Sequence, residues 1–446
     1  MSEFFGTDGV RGIAYSELTV QMAEALGQAA VSILGPRLLI GRDTRTSGFA
    51  LQQGLVAGIT AAGGKALLAG VIPTPAVALL VQEYAADGGV VISASHNTPE
   101  YNGIKFFGSL GYKLEASEEE RFEAVLQAMP ALDQSVISQV ETPNEEELDD
   151  APERYIAHSV SVLANQGFDL TGMKIVIDCA HGAACYTSPE ALRRLGAEVI
   201  TIHTEAQGDL INVNCGSTDL RDLIKTVLEC SADIGIAHDG DADRMQAVSA
   251  QGKEVDGDYI KAICARMYKE QGRLVNDTVV STVMANVGFV NAMNEIGIEV
   301  IQTDVGDSKV LSKMLEEGYV LGGEQSGHIL FLEHNTTGDG LVSALQLLAA
   351  MRYFNQPLDE LMKIMKQHPQ DTKSLNVTNK AEIMASESLA HLVKTIETEL
   401  GSEGKVLLRA SGTEPKIRIT VWAPDQAMVA HQIQRLADQV IKLDQS

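Results

Sequence analysis

Basic residues are scarce in this chain. Its 446 residues hold 34 Lys and Arg against 60 Asp and Glu, a formal charge of −26, which argues against nucleic acid or an anionic membrane as a partner. The five cysteines (Cys179, Cys185, Cys215, Cys230 and Cys264) form no CxxC pair and no zinc-like spacing. An odd, scattered set reads as buried thiols in a reducing cytosol. The first residues, MSEFFGTDG, lack a basic, apolar targeting pattern. No apolar run approaches the roughly 18 residues of a membrane span. There is no Walker A loop either, since Gly58 to Gly63 is followed by Gly64 and Lys65 rather than Lys-Ser or Lys-Thr. A nucleotide-driven kinase is therefore disfavoured, and a soluble, cytoplasmic protein is expected.

With 45% hydrophobic residues the chain has ordinary globular composition, and its length suggests three or four domains. Through the first three-quarters, helix-period and strand-like segments alternate. Helices are expected over 18–33, 49–62 and 75–84, with strands over 38–40, 66–72 and 88–92. Such alternation implies a mixed or parallel sheet covered by helices. A weak internal repeat accompanies it. Ala62-Gly63-Gly64-Lys65, Leu195-Gly196-Ala197-Glu198 and Ile296-Gly297-Ile298-Glu299 each place glycine between a helix and a strand, and a polar loop follows each. A glycine stop before a strand is common, so chance remains open. Boundaries are placed in the acidic segment 130–152, at 252–257 and at 368–370, giving units 1–152, 153–251, 252–368 and 369–446. The last reads as α+β, with a helix over 381–400, strands over 405–408 and 417–422, and a helix over 425–443.

The polar loops carry the chemistry. The strand ending at Ile92 delivers Ser95, on what reads as a surface loop, beside His96, Asn97 and Lys105. Open α/β sheets place ligands at such strand ends, although Ser and Asn also favour caps and turns. Asp239, Asp241 and Asp243 alternate, so in an extended segment their carboxylates would share one side. Their repulsion suits a hard divalent cation, and oxygen-only ligands favour Mg²⁺ or Ca²⁺; an acidic turn is the alternative. An EF-hand is excluded, because its sixth position holds Arg244 and its twelfth Ala250. Glu324 and Ser326 flank Gln325 in a glycine-bounded turn, where a carboxylate and a hydroxyl suit adjacent sugar hydroxyls. Arg409, Ser411, Gly412, Thr413 and Arg418 read as a phosphate cradle, or as a structural hairpin. Against the overall negative charge, phosphate needs local cations, and Arg11, Arg42, Arg45, Lys105, Arg409, Lys416 and Arg418 lie in or beside these loops.

Together with Phe5-Gly6-Thr7-Asp8-Gly9-Val10-Arg11-Gly12, the four loops run in the order seen in the α-D-phosphohexomutases, and the chain resembles that family from Phe5 to Arg418. The resemblance implies three similar mixed-sheet α/β domains plus a smaller α+β domain, with the active site at their junction. It implies that Ser95 is phosphorylated and is a fourth anionic ligand of the cation, with Arg244 offsetting charge. Arg409, Ser411, Gly412, Thr413 and Arg418 would grip the non-reacting phosphate. Arg11, His96, Lys105 and His328 match positions near the reaction. Lys105 is the preferred proton-transfer group, since a nearby cation and partial burial would lower its pKa.

Gln325, commonly Met in relatives acting on mannose and glucose phosphates, and Thr336-Thr337-Gly338-Asp339-Gly340 look more like the glucosamine branch. The expected reaction interconverts glucosamine 6-phosphate and glucosamine 1-phosphate, for amino-sugar nucleotide (UDP-N-acetylglucosamine) synthesis. Its expected cofactors are one Mg²⁺ per chain and a sugar 1,6-bisphosphate as activator and intermediate. Small sugar phosphates are the expected partners, with an activating kinase and a homodimer also open. A mannose or glucose phosphate mutase and a non-catalytic sugar-phosphate sensor remain as alternatives. The sensor is motivated by two departures from the family's loop: Thr98 stands where the family has Pro, and Tyr101 where it has Asp.

Overall fold

Four sheets organise the chain in the computed structural model, which describes residues 5, 9–129, 142–411 and 414–445. In the first sheet, strands Arg37–Arg42, Lys65–Val71 and Gly88–Ile92 run parallel, with Arg37–Arg42 between the other two. Tyr101–Gly108 then returns antiparallel to Gly88–Ile92, and Val10–Ile13 pairs with its far edge. Alternate residues of these strands feed opposite faces. Leu38, Ile40, Val90 and Ile92 pack with helices Val20–Ile33 and Gly48–Ala61, whereas Leu39, Leu67 and Val91 face helix Thr74–Glu83. A sheet covered on both faces is why these strands read as continuous apolar runs.

The same plan recurs twice. In the second sheet Lys174–Asp178 lies between parallel Glu198–Ile202 and Ile234–His238, and Met245–Ser249 returns antiparallel. In the third, Thr278–Thr282 lies between Glu299–Thr303 and Leu321–Gly323, and Ile329–Phe331 returns. Gly63, Gly196 and Gly297 precede the second strand of each unit with φ of +80°, +95° and +70°, the left-handed stop that only glycine takes at little cost. The repeat suspected from the sequence is therefore real. Each unit places one polar loop between its third strand and the antiparallel return: residues 93–100, 239–244 and 324–328.

Residues 130–141 of the acidic segment lie outside the described residues, and the part from Thr142 on is neither a linker nor an exposed helix. Glu145–Glu147 is an edge strand of the first sheet, parallel to Ala66, Leu67 and Leu68. All three of its residues are exposed, and charge on an edge discourages further pairing. Helix Ala151–Ala164 follows directly. Its Tyr155 hydroxyl donates to Asp339 of the third unit at 2.9 Å, so this helix ties units together. One hydrophobic core runs continuously through the first three units. The C-terminal unit has its own, built from the antiparallel sheet Gln370–Asn376, Lys416–Trp422 and Lys405–Ala410 and the helices beside it. Its expected single helix over 381–400 is two, Lys380–Met384 and Glu387–Leu400, interrupted at Ala385 and Ser386. No helix among the described residues is long and apolar enough to cross a membrane.

Candidate active site

The three repeated loops converge. Ser95 sits at φ +51°, a strained conformation for a residue with a Cβ, and it is 2% exposed rather than out on a surface loop. Its Oγ donates to Asp239 Oδ2 at 2.7 Å, linking the first loop to the second. The Ser95 amide donates to Ser93 Oγ, and Ser93 donates to Asp43.

Arg45 fixes the backbone of this loop. Its guanidinium donates to Asp43 and to the carbonyls of Ser95, Asn97, Thr98 and Tyr101. The Asn212 amide adds bonds to the carbonyls of Ser95 and Asn97. Arg45, expected from the sequence to hold phosphate, is therefore a buried structural clamp, and Arg42 bonds Gln52 instead. Thr98 and Tyr101, the two departures from the family's loop, contribute backbone carbonyls that Arg45 binds.

The three aspartates converge by a route other than the one expected. The strand ends at His238, and a tight turn with Ala242 at φ +57° gathers Asp239, Asp241 and Asp243, whose ligand oxygens lie within 4.8 Å of one another. All three are buried. Burial first, and then repulsion from Asp243 and Asp241, holds the Asp239 carboxyl well above its ordinary range. Asp243 Oδ1 has no hydrogen-bond partner among the described residues. An all-oxygen set whose charges oppose one another, with a lone pair left over, fits a hard divalent cation. A second group, Asp178, His203 and Cys215, is accounted for by loop closure. There Asp178 accepts from Ala180 and Gly216 amides and faces His203 Nδ1 at 2.9 Å.

Beside Asp243 lies a cleft of about 470 Å³, lined also by Arg11, His96, Lys105, Arg244, Glu324 and His328 among others. Lys105 Nζ is buried and ion-paired with Asp241 at 2.9 Å and Asp243 at 3.7 Å. His96 lies 3.4 Å from Ser95 Oγ by its Nδ1. Desolvation in the cleft mouth, then the charges of Arg244 and Arg11, lowers its pKa to about 4, so the ring is neutral at pH 7. Arg11 donates to Asn97. Arg244 Nε and both ring nitrogens of His328 make no hydrogen bond among the described residues. Glu324 accepts the Gly306 amide, and Ser326 Oγ lies 3.4 Å from the same carboxylate. These are donors and acceptors aimed at an anionic, hydroxyl-bearing ligand.

The C-terminal cradle is not part of this wall, because no described residue lining the cleft comes from it. Arg409 and Arg418 are nonetheless direct partners across antiparallel strands. Like charges in that position are destabilising alone, and Arg409 Nε has no hydrogen-bond partner among the described residues. Both features point to an anion. Ser411 Oγ accepts the Glu414 amide, while Gly412 and Thr413, like Gly6, Thr7 and Asp8, lie outside the described residues.

Sequence reasoning missed several contributors: Asp43 and Ser93 behind the serine, Thr74, which bonds Asp241 at 2.7 Å, and the segment Gly306 to Lys309 on the cleft wall. The polar triplet Asp43-Thr44-Arg45 directly after a buried strand was the available signal. Thr336 to Gly340, read as a likeness to the glucosamine branch, also joins units. Asn335 and Thr336 bond carbonyls of Pro75 and Gly111, and Asp339 caps helix Gly340–Phe354.

Comparison with known proteins agrees with this layout. Residues 2–131, 153–252, 256–368 and 374–439 match, in order, domains I, II, III and the C-terminal domain of the phosphoglucomutase/phosphomannomutase family. The phosphoglucosamine mutase of Clostridium tetani is 45% identical over 99% of both chains, and that of Moorella thermoacetica 48% identical over 96% of both. Among solved structures, N-acetylphosphoglucosamine mutase of Aspergillus fumigatus in complex with GlcNAc-6P and magnesium superposes with a TM-score of 0.67 at 16% identity, covering 99% of this chain and 96% of the other. A variant of that enzyme in complex with glucose 1,6-bisphosphate superposes with a TM-score of 0.65 at 16% identity, over 100% of this chain and 96% of the other. The chain belongs to the α-D-phosphohexomutase family, within its phosphoglucosamine mutases.

Proposed function

We propose that this chain interconverts glucosamine 6-phosphate and glucosamine 1-phosphate through phospho-Ser95. The observation that carries this reading is the placement of Ser95 Oγ, 2.7 Å from Asp239 of the acidic triad and 3.4 Å from His96, which lines a cleft with Arg11, Lys105, Arg244, Glu324 and His328. In the first transfer, the bond between phosphorus and Ser95 Oγ breaks as one sugar hydroxyl forms a bond to phosphorus. The hydroxyl proton leaves to a base in the cleft, with Lys105 or His96 in position, and the departing Ser95 Oγ gains a proton. The sugar now carries two phosphates. After it turns over in the site, the bond between the other phosphate and its sugar oxygen breaks as Ser95 Oγ gives up its proton and bonds that phosphorus, and the sugar oxygen regains a proton. Arg11, His328 and Arg244 would stabilise the charge spread over the moving phosphoryl oxygens, and positioning supplies most of the rest. Glu324 and Ser326 would hold the sugar hydroxyls. Arg409, Ser411, Gly412, Thr413 and Arg418 would hold the idle phosphate.

Asp239, Asp241 and Asp243, with the phosphoserine, would hold one Mg²⁺. When bound, that ion offsets the roughly −1.5 to −2 charge of a serine phosphate. A sugar 1,6-bisphosphate or an activating kinase would load Ser95 initially. Five free thiols are in keeping with a cytoplasmic location. The test is kcat/KM for the three sugar phosphates. Glucosamine phosphate should be preferred, with residual turnover of glucose phosphate because the reacting ends are alike. Equal or better efficiency with mannose or glucose phosphate would overturn the assignment.

A further inference from the structure

Gln325 lies between the two proposed sugar contacts, yet its side chain is engaged elsewhere. Its Nε2 donates to Asp256 Oδ2 at 2.9 Å, and its Oε1 accepts from Gln370 Nε2 at 3.0 Å. Asp256 is the N-cap of helix Gly257–Glu270 in the third unit, where its other carboxylate oxygen accepts the amides of Asp258 and Tyr259. Gln370 begins the first strand of the C-terminal sheet. The chain continues in both directions. Gln370 Oε1 accepts from Trp422 Nε1 at 2.5 Å and from Asn286 at 3.3 Å. Asp256 Oδ2 also accepts from Gln367 at 2.9 Å, and Asn286 brackets His368 through its carbonyl and its amide. One run of hydrogen bonds thus links the sugar turn, the helix cap behind it, the connecting segment 367–370 and the strand that carries Arg418 (Lys416–Trp422).

The backbone of the turn does not depend on this side chain. The Gln325 carbonyl already accepts from the Gly257 amide at 3.0 Å and from Gln246 at 3.2 Å. Gly257 permits that approach, because a Cβ there would stand 2.2 Å from the Glu324 carbonyl oxygen. What the side chain adds is a link to a unit with a separate hydrophobic core. Connections of this kind, rather than a shared core, set the relative placement of such units.

We infer that Gln325 is a positioning residue that couples the sugar-holding turn to the C-terminal phosphate cradle. It acts through Gln370, so that Glu324 and Ser326 are set in register with Arg409 and Arg418. This rests on the proposed mutase reaction. A glutamine is suited to the task because it offers a donor to the Asp256 carboxylate and an acceptor to Gln370 at the same time.

The test replaces Gln325 with Met, which keeps the length and removes both polar ends. Losing the two hydrogen bonds should raise KM for glucosamine 6-phosphate about tenfold while leaving kcat within about twofold, because the cradle holds the phosphate that does not react. Gln370→Met cuts the same link from the other side and should do likewise. The deciding comparison is made in an Arg409→Ala, Arg418→Ala background. With the cradle disarmed, adding Gln325→Met should cost less than about twofold, since contacts acting as one unit are not additive. A full tenfold loss persisting in that background would show that Gln325 serves the sugar alone and would overturn the coupling. So would near-wild-type KM in a folded Gln325→Met enzyme. Wild-type protein inactive on glucosamine phosphate would instead sink the mutase reading, and this inference with it.

Discussion

Replacing Arg45 separates a clamp from a phosphate ligand. The side chain is 1% exposed and makes five hydrogen bonds: one to Asp43 and four to the carbonyls of Ser95, Asn97, Thr98 and Tyr101. Asn212 also serves the Ser95 and Asn97 carbonyls and Ser93 also serves Asp43, so the carbonyls of Thr98 and Tyr101 lose their one side-chain donor among the described residues. Arg45→Lys keeps the charge near Asp43 but offers three donors in place of a planar fork. With at least one or two buried acceptors left short, it should destabilise the protein by about 2 kcal/mol or more. Arg45→Met removes the partner of a buried carboxylate, a change worth about 3–5 kcal/mol. Because the first three units share a core and should melt together, that lowers their thermal transition by roughly 5 °C. Displacing Ser95 by a fraction of an ångström should also lower kcat by about tenfold to a hundredfold. Thermal unfolding and steady-state kinetics on both variants check this. If both unfold with wild-type protein and only KM rises, Arg45 is a phosphate contact and the clamp argument fails.

Three further outcomes are expected. Asp241→Asn should lower kcat on the order of a hundredfold and weaken dependence on Mg²⁺, and wild-type activity unaffected by EDTA would contradict the cation reading. Ser95→Ala should abolish turnover while circular dichroism shows an intact fold; near-normal turnover would rule out a phosphoserine carrier. His203 has its pKa raised, first by the hydrogen bond to Asp178 and then by nearby Asp222 and Glu205, with burial opposing. Its contribution to stability is therefore full below the unfolded pKa and fades as pH rises through the folded one. The gap in unfolding temperature between wild type and His203→Asn should be wider at pH 6 than at pH 9, and a gap independent of pH would refute this.

The legible parts of this molecule were those whose chemistry is contiguous in sequence. Ser95 and His96, the alternating aspartates and the Glu324–Ser326 pair each occupy one loop, so residue type and spacing, together with the family resemblance, raised them as candidates. The repeat was legible through three glycines, because a left-handed stop leaves a mark on composition. Illegible features were those decided by partners far along the chain. Arg45 reads like any cation until its carbonyl partners, some 50 residues away, are folded around it. Glu145–Glu147 has no apolar face, so nothing in its pattern marks a strand. The aspartates converge through a turn at Ala242, although the expectation of convergence came from an extended chain. Gln325, read as a sugar marker, turns out to bond Asp256 and Gln370, whose proximity only the tertiary fold provides.

The central claim is that Ser95 carries the phosphoryl group that the sugar receives. Intact-mass spectrometry before and after one turnover tests it most directly, using enzyme first loaded with glucose 1,6-bisphosphate, freed of excess and then mixed with limiting glucosamine 6-phosphate. The loaded chain should be heavier by one phosphoryl group located at Ser95. Within a single turnover, that mass should leave the protein in proportion to the sugar bisphosphate formed. A chain that never gains the group, or that keeps it at Ser95 while the sugar bisphosphate accumulates, would contradict the account.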